Sequence, residues 1–184
     1  MNIVAADTFV NDKSIDTTET IEFAVTRCNI GNVLVGRNSR GVCAILLGTS
    51  AEALEIELGM IFPGCLLVHN ESAAKDDTSR ILHFLSSPNA SLDIVLDIRG
   101  SSFQRRVWET LRTIPAGRPL TFAQLACRIS GPKSLRAIGQ ACAENPIALA
   151  IPCHRVMGNS GSLSNYRYDA RCKRSLINRE VAVA

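Results

Sequence analysis

The apolar pattern changes character near the middle of this chain of 184 residues, and the change restricts the folds available to it. In the first half, three short β-rich runs at residues 21–25, 33–35 and 42–47 are separated by Asn, Gly and Ser. Such runs are typical of consecutive antiparallel strands. After Gly100 the apolar residues recur at helical spacing, first over residues 103–114. The sequence therefore predicts an α+β protein with an N-terminal antiparallel sheet and a C-terminal helical domain.

Helices are predicted to flank the sheet. Thr49 and Glu52 have capping-box spacing, which predicts a helix that starts there and ends before Pro63. The acidic pair at residues 76–77 precedes a second apolar helical pattern, and residues 92–97 predict one more strand. This half of the sequence shows no group of residues with obvious chemistry, so a scaffold and a lid are both open roles for it.

A change in composition places a domain boundary within residues 86–100. We expect a polar leader at residues 1–18, an N-terminal α/β domain at residues 19–97 and a C-terminal domain at residues 98–184. The leader is short and lacks clustered cysteines, so we expect no metal-binding regulatory part within it.

The overall composition excludes several classes of protein. Hydrophobic residues make up 46% and charged residues 20%, which is typical of a globular protein, and no run is long enough for a membrane span. The seven cysteines include no C-x-x-C pair, which favours reduced thiols in a cytosolic protein over disulfides or zinc. Cys65 and His69 alone are weak ligands for a metal, and we expect none. The net charge of +3 is mild, so a nucleic-acid surface requires local placement of basic residues.

Two short helices separated by a break are predicted in the second half. Thr121 and Gln124 form a capping box that opens the first, residues 131–132 break the chain, and the second covers residues 133–143. This is the outline of a helix-turn-helix. The second helix carries Arg136 among small residues, which suits close approach to a DNA groove. It equally suits close packing of helices with Arg136 in solvent, and the sequence leaves both interpretations open.

A thiol and an imidazole are adjacent shortly after this second helix. A buried, strand-like segment at residues 147–151 leads through Pro152 to Cys153 and His154. Cysteine is a strong nucleophile once a neighbour takes its proton, and histidine is well suited to do so. Neighbouring side chains point in different directions on a helix or strand, so a bent loop or a bridging water would have to connect them. The alternative is a buried structural cysteine beside a hydrogen-bonded histidine.

Three motifs in this region together resemble a known family. They are residues 136–139 (Arg-Ala-Ile-Gly), residues 145–146 (Asn-Pro) and residues 151–156 (Ile-Pro-Cys-His-Arg-Val). They are similar to the O6-alkylguanine-DNA alkyltransferases, also called methylated-DNA–protein-cysteine methyltransferases. The resemblance extends over about residues 20–180 and includes positions further along the chain, namely Gly161, Leu163, Tyr166 and Lys173. Its looser N-terminal part, including residues 41–48, resembles the C-terminal half of the bacterial adaptive-response (Ada) proteins.

The resemblance implies a function in DNA repair. Members of the family bind duplex DNA through the minor groove with a helix-turn-helix and flip the damaged guanine out of the stack. They then move its O6-alkyl group irreversibly onto a cysteine, once per molecule and without a cofactor or metal; O4-methylthymine is a further candidate substrate. Flipping is required because the alkyl carbon of a stacked, paired base cannot meet a protein sulfur. A monomer that acts on DNA in a bacterial-type cytosol is the corresponding expectation.

The resemblance also implies roles for the reacting residues. Cys153 is the acceptor thiol, and His154 deprotonates it through a water molecule. Glu180 takes the place of the carboxylate that orients this histidine, which completes a Cys–water–His–Glu relay. Asn145 corresponds to the asparagine that ties the helix-turn-helix to the active-site loop and helps to hold the thiolate.

A second set of positions corresponds to residues that bind DNA and the base. Arg136 is the finger that replaces the flipped base, and Ala137 lies beside it in the minor groove. The carbonyls of Cys153 and Val156 accept hydrogen bonds from the guanine amino group, and the amide of Arg167 donates to O6. Tyr166 and Lys173 are further family positions near the base.

Two positions depart from the family pattern. Phe122 stands where a tyrosine usually donates to guanine N3; phenylalanine can stack on the base but cannot donate, so we expect slower transfer. Asp169 stands where a glycine is common in the loop that roofs the alkyl pocket, so we expect an altered range of adducts. Rival functions are a weakly active or non-catalytic protein that binds alkylated DNA, a helix-turn-helix regulator, and a papain-like hydrolase, which would need its histidine far from the cysteine in sequence.

Overall fold

The structure is a computed structural model that describes residues 19–87, 91–129, 135–158, 161–163 and 166–182. It confirms the α+β class, and the chain divides into two compact units between Arg99 and Gly100. The predicted leader, the break at residues 131–132 and the start of the following helix at Lys133 lie outside the described residues.

A four-stranded sheet organises the first unit. The predicted meander is present as β1 (Thr20–Cys28), β2 (Gly31–Asn38) and β3 (Gly41–Gly48), each antiparallel to the next. A fourth strand, β4 (Leu66–His69), pairs in parallel with β1, which gives the order β3-β2-β1-β4. β4 was not predicted, because four residues are too few to show the alternating period of a strand. The sheet core is formed by the buried apolar residues of β1, β2 and β3.

The first helix, α1 (Ala51–Ile61), begins one residue later than predicted. Its N-cap is Ser50, whose hydroxyl accepts a hydrogen bond from the Ala53 amide at 3.3 Å. The prediction of Thr49 as the cap was therefore wrong. Only Thr49 has a glutamate three residues later, so the capping-box pattern favoured it, but the extended backbone at the end of β3 makes Ser50 the cap.

The second helix and the last predicted strand also differ from expectation. α2 (Glu71–Ser86) is capped by Asn70, so the acidic pair at residues 76–77 lies within the helix rather than before it. The strand predicted at residues 92–97 is reduced to a single bridge between Leu96 and Val42 on β3. Asparagine at the N-cap accepts from free amides of the first turn, which allows the helix to begin earlier than the apolar pattern does.

The second unit is mainly helical. Its elements are α3 (Ser102–Arg112), β5 (Leu120–Thr121), α4 (Phe122–Arg128), α5 (Leu135–Ala143), β6 (Val156–Met157) and α6 (Ala170–Val181). The predicted Thr121 and Gln124 capping box opens α4. The indole of Trp108, buried on α3, donates to the Ala141 carbonyl at 2.8 Å and fixes α5 against α3. None of the helices in the described part of the chain is long and apolar enough to cross a membrane.

Candidate active site

Asn145 folds the chain that leads to the candidate nucleophile. Its side-chain oxygen accepts from the Ile147 amide at 3.0 Å, and its Nδ2 donates to the Ile151 carbonyl at 2.9 Å. The segment predicted as a strand at residues 147–151 is therefore a buried turn, in which Leu149 has a φ of 69°. An asparagine side chain that satisfies local backbone groups competes with strand pairing. The same Nδ2 lies 3.3 Å from the Cys153 sulfur, so one amide fixes both the turn and the thiol.

Cys153 opens a 3-10 turn, Cys153–Arg155, and only 5% of it is exposed. Burial raises the pKa of the thiol, while the hydrogen bond from Asn145 and the charge of Lys173 oppose that effect without cancelling it. The resting group is therefore a thiol at neutral pH, since the ordinary pKa of cysteine is already near 8.5. A nucleophilic role requires a base that removes its proton.

A buried imidazole and carboxylate provide that base. His154 Nε2 lies 2.9 Å from Glu180 Oε1, although the two residues are far apart in the chain. Burial disfavours the charged form of Glu180, but hydrogen bonds from His154 and Arg155 outweigh it and lower its pKa to about 2. Burial lowers the pKa of His154, with Glu180 opposing, so the imidazole is neutral.

The ionised carboxylate also fixes the tautomer of the histidine. A carboxylate only accepts hydrogen bonds, so Nε2 of the neutral ring carries the proton and Nδ1 carries the lone pair. His154 Nδ1 is buried and has no hydrogen-bond partner among the described residues. The pair thus presents a free basic nitrogen one residue away from the thiol.

Arg155 completes the carboxylate's surroundings and was missed as a site residue by the sequence analysis. Its Nε donates to both oxygens of Glu180 at 3.1 and 2.9 Å, and Nη2 donates to Oε1 at 2.8 Å. Its Nη1 donates to the Ile114 carbonyl at 2.5 Å, which anchors the guanidinium on the chain after α3. The motif at residues 151–156 contains this arginine, but only the fold shows that its partner is the carboxylate on α6.

Lys173 and Tyr166 lie close to the thiol. Lys173 is 1% exposed, and its Nζ lies 5.4 Å from the centre of the Tyr166 ring. Burial lowers the pKa of Lys173, with the thiols of Cys153 and Cys142 opposing the shift. The Tyr166 hydroxyl is buried and has no hydrogen-bond partner within the described ranges. Both predicted positions therefore contribute polar groups near Cys153.

The predicted DNA-contacting residues lie on α4 and α5, the two helices of the predicted helix-turn-helix. Arg136 is exposed on α5, Ala137 beside it is partly exposed, and Phe122 is the partly buried first residue of α4. β5, which leads into α4, pairs in parallel with β6, where Val156 lies opposite Leu120. This pairing connects the first helix of the motif directly to the turn that carries Cys153.

The loop before α6 carries the remaining two predicted positions. Arg167 Nη1 donates to the Ala143 carbonyl at 3.1 Å, at the end of α5. Asp169 is exposed and serves as the N-cap of α6, where its carboxylate accepts from the Cys172 amide at 2.5 Å. The negative charge of Asp169 is thus directed at a helix N-terminus, where it is favourable.

The expectation about metals concerned Cys65 and His69. His69 packs edge-on against Phe23 with 5.3 Å between ring centres, and the Cys65 sulfur lies 3.9 Å from a Glu19 oxygen. Nowhere in the described part of the chain do three His, Cys, Asp or Glu side chains form a group that could hold a metal ion.

The two helices of the predicted helix-turn-helix, followed by a buried thiol, imidazole and carboxylate, are typical of a DNA-binding class of protein with a candidate nucleophile. Residues 102–182 match the family described as 6-O-methylguanine DNA methyltransferase, DNA binding domain. The chain belongs to this O6-alkylguanine-DNA alkyltransferase family, and it is similar to the C-terminal half of Ada.

Individual relatives extend the match to the first unit. The chain is 39% identical over 160 residues to the Escherichia coli bifunctional transcriptional activator/DNA repair enzyme Ada, covering 87% of this chain and 45% of Ada. It is 48% identical over 85 residues to the methylated-DNA–protein-cysteine methyltransferase of Mycolicibacterium paratuberculosis, covering 46% and 52%. The chain thus spans about half the length of these curated relatives. Mycobacterium tuberculosis OGT, solved in complex with DNA, has a TM-score of 0.69 and 28% identity over 88% of this chain and 93% of that chain.

Proposed function

We propose that the protein repairs alkylated DNA by moving the O6-alkyl group of guanine onto Cys153, irreversibly and once per molecule. The observation that carries this proposal is the buried His154–Glu180 pair at 2.9 Å, beside a buried thiol that Asn145 holds. A helix-turn-helix regulator would need none of these groups. The names of the relatives support the proposal, since they describe DNA repair and transfer from methylated DNA to a protein cysteine.

The distribution of charge supports DNA as the partner of the second unit. Residues 100–184 contain 13 Lys and Arg against 4 Asp and Glu, whereas residues 1–99 contain 7 against 13. The mild net charge of the whole chain is therefore the sum of a strongly basic second half and an acidic first half. A basic domain attracts the phosphate backbone of DNA. We propose that α5 enters the minor groove with Arg136 and Ala137, and that Arg136 replaces the flipped guanine. The protein acts as a monomer on DNA in the cytosol.

The proposed reaction is a substitution at the alkyl carbon. His154 Nδ1 accepts the thiol proton through a water molecule while Glu180 stabilises the resulting imidazolium. The Cys153 sulfur then forms a bond to the alkyl carbon as the bond from that carbon to O6 breaks. The electron pair of the broken bond stays on the guanine, which takes up one proton, so that a thioether and an ordinary guanine result. Water does not readily cleave a thioether, so the protein is consumed.

Base selection in this proposal depends on backbone groups. The carbonyls of Cys153 and Val156 accept from the guanine amino group, and the Arg167 amide donates to O6. Tyr166 and Lys173 border the base. O4-methylthymine is a further candidate substrate, because it also carries an alkyl group on an exocyclic oxygen, although it lacks the amino group that the carbonyls select.

The experiment that tests the proposal uses a duplex with a single O6-methylguanine labelled in its methyl group. The protein is mixed with excess duplex, and the label on protein is counted and located by peptide mass spectrometry. We expect one label per chain, on the peptide with Cys153, and a guanine left in the DNA. Binding to the lesion without transfer of label supports the non-catalytic alternative. Binding to one preferred DNA sequence with the same affinity whether or not it contains the lesion supports a regulator. Release of label into solution over many turnovers supports a hydrolase.

Phe122→Tyr is expected to accelerate transfer by on the order of 10²-fold, the value of a hydrogen bond that forms only in the transition state. A tyrosine hydroxyl at the start of α4 would donate to guanine N3 as charge develops on the leaving base. The measurement is the single-turnover rate at saturating duplex. Phe103→Tyr on α3 is the matched control, because it adds the same hydroxyl to a partly buried helix position outside the site. An unchanged rate in the Phe122 variant contradicts the predicted role.

A further inference from the structure

We propose that the Arg167 side chain is a positioning residue that ties the DNA-reading helix α5 to the loop that holds the substrate base. This inference rests on the proposed function and deepens it. The role proposed above for Arg167 concerns its backbone amide only. The side chain is a separate feature, and its contact lies 24 residues away along the chain.

The contact is placed at the end of α5. Arg167 Nη1 donates at 3.1 Å to the carbonyl of Ala143, the last residue of that helix, in a partly buried position. The last carbonyls of a helix have no partner within the helix, and a cation near them is stabilised by the helix dipole. Arg167 therefore acts as a C-terminal cap for α5 that is supplied by a distant loop.

The capped end of α5 leads directly to the nucleophile. Asn145 follows Ala143 by two residues, and its side chain holds the Cys153 sulfur at 3.3 Å. A shift of the α5 C-terminus would move Asn145 and the turn that it organises. By fixing the Ala143 carbonyl, Arg167 limits this movement at the point where the reading helix becomes the active-site loop.

The donor side of this hydrogen bond lies in the loop before α6, which is proposed to hold the substrate base. The proposed donor to guanine O6 is the backbone amide of Arg167, so its own side chain anchors the residue that has to meet the oxygen. The next element, α6, starts at Ala170 and carries Lys173 and Glu180 towards the site. A donor displaced by even 1 Å stabilises the developing charge much less. One hydrogen bond thus fixes the Arg167 amide relative to the turn that carries Cys153, the two parts of the site between which the base is proposed to lie.

The charge of the guanidinium acts in the same direction. Burial raises the pKa of Cys153, and the charge of Arg167 is among the influences that lower it. A positive group on this loop therefore favours the thiolate that attacks the alkyl carbon. The geometric and electrostatic effects together predict a loss of rate rather than a loss of DNA affinity when the side chain is removed.

The test compares Arg167→Met with Arg171→Met, which removes the same charge from an exposed position on α6. Single-turnover transfer from an O6-methylguanine duplex is measured over a range of duplex concentrations, which separates the rate at saturation from the apparent Kd. We expect Arg167→Met to be slower at saturation by roughly 10- to 100-fold, the range for losing a charged hydrogen bond. Its apparent Kd should stay within about threefold of that of the Arg171 variant, since both lose one positive charge. Arg167→Lys keeps the charge and one donor and should recover part of the rate.

Three results would overturn the inference. One is a saturating rate for Arg167→Met equal to that of Arg171→Met, and another is a loss confined to the apparent Kd. The third applies if Arg167→Met does not fold, as judged by its thermal transition. Arg167→Gln, which loses the charge but stays polar, then carries the test, and a natural rate at saturation in that variant would mean a purely structural contact. Failure of the wild-type protein to take up any label defeats the proposed function itself, so the two failures are distinguishable.

Discussion

Cys153→Ala is expected to abolish alkyl transfer completely. Binding to duplex DNA should remain within about threefold of the natural value, because the thiol is buried and carries no charge that phosphates would attract. The alanine side chain has no nucleophilic atom, and the thiol is the group from which the proposed reaction forms the new bond to the alkyl carbon. The measurement is label on protein at saturating duplex, with binding followed in parallel by fluorescence anisotropy.

The matched control is Cys127→Ala. Cys127 is an exposed thiol on α4, within the helix-turn-helix, whereas Cys153 is 5% exposed. A free alkylating agent such as iodoacetamide should modify Cys127 first, because access and thiolate fraction control thiol reactivity. Transfer from the lesion should instead go to the buried Cys153 and be unaffected in the Cys127 variant. The contrary result is that the label is found on the exposed Cys127 and is lost in the Cys127→Ala variant. The DNA lesion would then react as an ordinary alkylating agent, without a dedicated acceptor.

Glu180→Gln is expected to slow transfer by on the order of 10²- to 10³-fold. A glutamine amide can donate to Nε2, which favours the tautomer with its proton on Nδ1 and so occupies the lone pair that is proposed to take the thiol proton. The same kind of exchange behind the histidine of a serine protease costs roughly 10⁴-fold, and a smaller loss is expected here because a thiol is more acidic than a serine hydroxyl. The measurement is the single-turnover rate as a function of pH.

The pH profile distinguishes a lost base from a general loss of structure. In the natural protein His154 has a lowered pKa, so its neutral form is present at neutral pH and the rate should fall only in the acid range below 6.5. Glu180 is among the influences that raise this pKa, so the variant's acid limb should move to still lower pH while its plateau drops. Without a local base, the variant's rate should keep rising with alkaline pH as the thiol loses its proton to solvent.

Stability has to be controlled in this experiment. Arg155 loses its buried anion in the variant, which costs about 3 kcal/mol by comparison with other broken buried pairs, so rates are measured well below the thermal midpoint. Glu109→Gln, at an exposed position of α3, is the matched control for loss of one carboxylate and should transfer at the natural rate. A Glu180→Gln protein that is folded and transfers at the natural rate at pH 7 would eliminate the carboxylate from the mechanism.

Local patterns predicted much of the fold. The meander formed by β1, β2 and β3 and the capping box at Thr121 follow from residue types a few positions apart, and the structure contains both. Three of the failures are of one kind: the N-cap of α2 at Asn70, the strand β4 and the turn at residues 147–151. Each was decided by a side-chain cap or by pairing with a distant strand, and neither leaves a clear periodic signal in the sequence.

The chemical groups of the site were determined by the sequence. The adjacent thiol and imidazole, the asparagine before them and the motif at residues 151–156 identify a nucleophile and its family. Their chemistry depends on residue type and short spacing, which a sequence displays directly.

Local sequence patterns, without the family resemblance, leave open how these groups are connected, and the tertiary structure decides it. It places Glu180 on α6 at 2.9 Å from the imidazole, clamps that carboxylate with Arg155, and joins Arg167 to the end of α5. The physical reason is that protonation states and donor directions depend on burial and on partners more than 20 residues away, and the packing of α6 and its preceding loop brings those partners together.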